Sequence, residues 1–76
     1  MPLPPCIHAD WDPEARRWVA TSNDVPGLAT EAETVEQLLA KLEVMVPELL
    51  QANGITEAPA QFELLARRFD PIRTAA

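Results

Sequence analysis

The sequence is short of the residues from which most catalytic and metal sites are built. It has one cysteine, one histidine and two glycines among 76 residues. A lone cysteine excludes an internal disulfide, and no cluster of Cys and His suggests a structural metal. With so little glycine there is no GxGxxG turn, no P-loop and no GxSxG nucleophile elbow. Basic residues are few as well: six Lys and Arg stand against twelve Asp and Glu, for a net charge of −6. An acidic chain of this kind argues against direct nucleic-acid binding and suits a basic partner, although acidity also serves solubility. No stretch approaches the roughly 18–20 apolar residues of a membrane span. The start, Met-Pro-Leu-Pro-Pro-Cys-Ile-His, has neither the basic region nor the apolar run of a signal peptide. The expected location is therefore the cytoplasm.

The few reactive residues do not assemble into a site on paper. Cys6 and His8 fall two apart on one strand face, whereas a zinc site wants about four ligands and only Asp10 is at hand to extend the set. As a nucleophile and base, two side chains two apart on a strand are neighbours rather than a tuned pair. Asp10, Asp12 and Glu14 lack the Gly and the bidentate Glu of a calcium loop. The expectation is no metal, no cofactor and no catalysis.

What is present is one strong helical pattern. Across residues 34–53, Val35, Leu38, Leu39, Leu42, Met45, Val46, Leu49 and Leu50 recur at the spacing of one helical face. Thr34 is the expected N-cap, and Asn53-Gly54 the expected stop, with Ile55 folding back on Leu49 or Leu50. Pro47 interrupts the pattern without breaking its register, which predicts a kink. Val44 points away from the stripe and, with Ala40, makes a small apolar spot on the outer face. That spot reads either as a tolerated exposed valine or as a protein contact.

The remaining segments read as strands and turns. Residues 6–11 alternate, as does 17–22, and Asp12-Pro13 sets the turn between them. Placing Trp11 opposite Trp18, Asp12 opposite Arg17, Ala9 opposite Ala20 and Ile7 opposite Ser22 gives one apolar and one polar sheet face. Asn23–Gly27 is a turn, with Pro26 and Gly27 suited to type II. Residues 28–32 form a third strand leading into the helix. Residues 61–69 fit a strand, with Phe62, Leu64 and Ala66 inward, or a helix; the aromatics and flanking prolines favour the strand. Arg67 and Arg68 within it read as the charged end of an edge strand, with phosphate contact as the alternative. The predicted fold is α+β, ordered β-β-β-α-β, a small antiparallel sheet with one long helix on one face. It forms a single domain over 1–76, with an ordered core of about 6–69 and frayed ends. A chain this small buries only about 60–65% of its unfolded surface, so self-association, at least a dimer, is expected.

Charge is uneven along the chain. Residues 1–57 carry ten acids against three bases, −7; residues 58–76 carry two acids against three arginines, +1.

Trp11-Asp12-Pro13-Glu14-Ala15, Trp18-Val19-Ala20-Thr21-Ser22, Val25-Pro26-Gly27-Leu28-Ala29-Thr30-Glu31-Ala32 and the Thr34-capped helix resemble a bacterial family of short proteins in the HicB-like superfamily. The match covers about residues 7–54, with Phe62-Glu63-Leu64 in the place of the final strand. The resemblance implies the same β-β-β-α-β fold and self-association. HicB antitoxins neutralise HicA, a small basic toxin that cleaves messenger RNA, and an acidic antitoxin covering a basic surface makes electrostatic sense. Carried over, the protein-binding residues would be His8 and Asp10 on the polar sheet face and Glu31, Glu33 and Glu36 around the helix start, with the Val44 spot as a further contact. Antitoxins of this type usually add a C-terminal DNA-binding domain. The sequence ends at Ala76 and shows Ala32-Glu33 where Gly is common before the helix, so direct DNA binding is not expected. The resemblance thus implies a non-catalytic, antitoxin-like domain that binds a small basic toxin. The alternative is a stand-alone self-associating domain, or a small-ligand binder, with no toxin partner.

Overall fold

The computed structural model describes residues 3–57 and 59–73. Five elements follow in order: β1 (Cys6–Asp12), β2 (Arg17–Thr21), β3 (Ala29–Ala32), α1 (Val35–Ala52) and β4 (Glu63–Arg67). The expected frayed ends fall partly on residues 1–2 and 74–76, which lie outside the described residues.

The β1–β2 hairpin takes the predicted register, with Trp11 opposite Trp18, Ala9 opposite Ala20 and Asp12 opposite Arg17. Asp12 closes its turn by accepting from the Glu14 and Ala15 N–H groups at 3.0 and 3.2 Å. Ser22 lies past the end of the ladder. Its hydroxyl donates to the Cys6 carbonyl at 2.6 Å and accepts from Asp24 and Val25 N–H, fastening the next turn. That turn is of type II character: Gly27 has φ +85° and Leu28 N–H reaches the Val25 carbonyl at 3.2 Å.

The helix begins and stops where the pattern predicts. Thr34, in extended backbone, accepts from Gln37 N–H at 3.1 Å. At the far end Gly54, φ +82°, donates to Gln51 O and Ile55 donates to Leu50 O at 2.9 Å, the two bonds of a Schellman motif. The helix runs on through Pro47, whose ring sits on the exposed side. Leu38, Leu42, Val46 and Leu50 are buried, with Val35, Leu39, Met45 and Leu49 half-buried beside them.

The sheet offers small side chains where the helix offers leucines. Ala9, Ala20 and Ala32 are buried under α1 together with Ile7, while Val25 and Leu28 close one end of the core. Phe62 and Leu64 pack at its margin, which selects the strand over the helical reading of 61–69.

In one respect the sheet departs from expectation. Its order is β3-β2-β1-β4, and β4 runs parallel to β1, so the sheet is mixed rather than wholly antiparallel. The helix causes this. It carries the chain back across the sheet to the end where β3 began, so the next strand must run in the direction of β3 and hence of β1.

Candidate functional site

Covering one face of the sheet with α1 leaves the other face bare. The strand registers place the bare-face residues in rows: Leu65, His8, Thr21 and Ala29, then Arg67, Asp10, Val19 and Glu31. A shallow open depression of about 560 Å³ runs over this face, lined by His8, Asp10, Thr21, Ser22, Asn23, Leu65 and Arg67. Asp10 pairs with Arg67 across β1–β4 at 3.5 Å. Arg17 lies opposite Asp12, but its ion partners are Glu31 and Glu33, both at 3.7 Å. Four of the residues implied by the family resemblance, His8, Asp10, Glu31 and Glu33, therefore share this side. Glu36 sits in the first turn of α1, and Val44, 57% exposed, lies on the outer face of the helix. Val44 is thus on the opposite side of the molecule from the acidic group.

Sequence reasoning did not include Leu65 and Arg67 among the site residues. The signal was available in the alternation of Glu63, Leu65 and Arg67 once 61–69 is taken as a strand joined to β1. The Arg67-Arg68 pair is in fact divided between two faces. Arg67 turns to Asp10, whereas Arg68 stacks on the Trp11 ring at 4.3 Å and pairs with Asp70 at 2.9 Å.

Cys6 and His8 come closer than strand spacing suggests, with Sγ and Nε2 at 3.7 Å. The environment works against a thiolate. Local desolvation, then the hydrogen bond and charge of Glu63 and the charge of Asp24, push the Cys6 thiol above its ordinary value. Among the described residues no three His, Cys, Asp or Glu side chains gather as a metal cage. Among the same residues no helix is long and apolar enough to cross a membrane. What this face can do chemically is bind: it presents carboxylates paired with Arg17 and Arg67, an imidazole and two isolated apolar side chains, Leu65 and Val19.

No curated protein matches the chain. The crystal structure of hypothetical protein TTHA1013, from the extremely thermophilic bacterium Thermus thermophilus, is similar to it. The two are 51% identical, the match covering 95% of this chain and 100% of that one, with a TM-score of 0.73. Residues 5–74 match the family described as Domain of unknown function (DUF1902), and the chain belongs to that family.

Proposed function

We propose that this chain is a non-catalytic, HicB-like protein-binding domain that acts in the cytoplasm as a homodimer. Like an antitoxin, it would cover a small basic RNA-cleaving protein with its bare sheet face. The observation that carries the reading is that face itself: uncovered by α1, with Leu65 and Val19 set among Asp10, Glu31 and Glu33. Apolar contacts set among carboxylates suit a basic protein surface, to which Asp10, Glu31 and Glu33 would turn from their exposed pairs with Arg67 and Arg17. The net charge of −6 acts in the same sense at longer range. A raised Cys6 pKa supports the non-catalytic part, since an attacking thiol needs a lowered one.

The test is a tagged pull-down from native lysate with intact-mass readout, light scattering on the eluate and an RNA-cleavage assay. The reading requires a stoichiometric small basic protein whose RNA cleavage this chain inhibits, with inhibition weakened by Asp10→Lys and Glu31→Lys. A homodimer with nothing bound would replace it with a second reading, a self-associating domain without a toxin. That second reading draws its support from the unpaired edge of β4 and from Phe69 and Ile72, which stand 82% and 93% exposed.

A further inference from the structure

The sheet has two edges among the described residues, and they differ. β3 is four residues long, and the Lys41 ammonium occupies its Glu31 carbonyl at 2.6 Å. Short length and a lysine are the usual protections of an edge. β4 is five residues long and carries Glu63 and Arg67 on the bare face, but no side chain among the described residues is hydrogen-bonded to its outer edge as Lys41 is to β3. It is the outer strand beside β1, and its Leu65 side chain is 48% exposed.

Backbone geometry says which groups of β4 face outward. Glu63 N–H donates to the Pro5 carbonyl at 2.8 Å, toward β1. Since backbone groups alternate along a strand, those of Leu65 and Arg67 also face β1 and those of Leu64 and Ala66 point out of the sheet. An added antiparallel strand must therefore hydrogen-bond to Leu64 and Ala66. A second copy of β4 does so in the register that centres Leu65 on Leu65. Leu64 then exchanges both bonds with Ala66 of the second copy, and the two Leu65 residues face each other as a pair without hydrogen bonds, their Cα atoms about 4.5 Å apart.

The same register sets the charges. Glu63 lies opposite Arg67 of the second copy, and Arg67 opposite its Glu63, on the bare face either side of the two leucines. Shifting the pairing by two residues keeps the hydrogen bonds but puts Leu65 opposite Glu63 or Arg67, and a shift of one breaks the hydrogen-bond pattern. Only the Leu65-centred register satisfies backbone, apolar centre and charge together. It is also self-complementary, as a two-fold interface requires. Farther along, Phe69 falls opposite Gln61 and Pro71 opposite Pro59. Phe69, over whose ring the Arg67 guanidinium lies at 5.4 Å, continues beside the charge pair on the bare face.

We propose that two copies of this chain pair antiparallel through β4, centred on Leu65, to make one continuous eight-stranded sheet. This names the surface for the homodimer in the functional reading above and does not depend on a toxin. It also joins the two bare faces into one.

Four measurements test it. First, the oligomeric state of the full chain is read by light scattering and native mass spectrometry over a range of concentrations. Second, Leu65→Cys in a Cys6→Ser background is oxidised; it should form a disulfide-linked dimer much faster than a Val44→Cys control in the same background. Third, Glu63→Arg and Arg67→Glu each place like charges opposite each other twice. Each should raise the dimer dissociation constant by about tenfold, while a mixture of the two variants should restore pairing as a heterodimer. Ala66→Pro removes an outward N–H and leaves the β1 ladder intact, so it should give a folded monomer by circular dichroism. A dimer that ignores the charge variants and does not cross-link at position 65 overturns this interface and leaves self-association standing. A chain that stays monomeric overturns both.

Discussion

Trp11 and Trp18 meet edge to face across the β1–β2 ladder, with ring centroids 5.5 Å apart and planes at 63°. The pair closes the end of the core where α1 begins and β4 ends. Trp18 packs on the buried cluster and faces Ala32 of β3, and Trp11 carries the Arg68 guanidinium on its ring. Three strands and the segment after β4 thus meet at two rings. Trp18→Ala should cost about 3 kcal/mol, at the lower end for a large aromatic because the ring is only half-buried. Urea unfolding followed by circular dichroism would measure it. A double-mutant cycle with Trp11→Ala should return a coupling of about 1 kcal/mol; a value near zero would mean the rings are adjacent without being coupled.

The helix makes a contrast within a single turn. Leu42 is fully buried against the sheet, and Val44 is 57% exposed on the far side. Leu42→Ala should lower unfolding free energy by about 2–5 kcal/mol through lost transfer energy and the cavity left behind. Val44→Ala should stay within about 0.5 kcal/mol. Equal effects would mean that α1 is rotated about its axis.

These two predictions rest on what the sequence made legible and what it did not. The helix from Thr34 to Gly54 could be read because cap, apolar period and stop all agree over eighteen helical residues. The Trp11–Trp18 register could be read because that pairing sets Trp11 beside Trp18 and Ala9 beside Ala20 on one apolar face. The direction of β4 could not. A five-residue strand with Leu64 and Ala66 on one side looks the same whether it joins parallel or antiparallel, and the answer lies in how far α1 carries the chain. The bare face was legible residue by residue in β1. Its completion by Leu65 and Arg67 required knowing that β4 sits beside β1, a contact between positions more than fifty apart in sequence.

The two ends of α1 should respond differently to mutation. Thr34→Ala removes the acceptor for Gln37 N–H and should cost about 1 kcal/mol. Gly54→Ala meets open space, with nothing within 4 Å of the added carbon, so its whole penalty is backbone. At φ +82° that penalty is about 1 kcal/mol, and Gly54→Asn should recover part of it because Asn tolerates the left-handed region. Thermal unfolding of the three variants would rank them.

Cys6 supplies the pH-dependent prediction. Local desolvation, the Glu63 carboxylate and the Asp24 carboxylate all raise its pKa above the ordinary 9.0. The folded state therefore holds this proton more tightly than the unfolded chain. The resulting stability is fully present below pH 9.0 and is lost as pH rises through the folded value. Alkylation by iodoacetamide should be slow at neutral pH and reach half its limiting rate above pH 9.0, and Glu63→Gln should move that midpoint down. Cys6→Ser should flatten the alkaline fall in stability. His8→Ala should leave the alkylation profile in place, because the 3.7 Å contact with His8 is not what sets the thiol's pKa. A midpoint well below 9.0 in the native chain, abolished by His8→Ala, would instead mark an activated thiol and would overturn the non-catalytic reading.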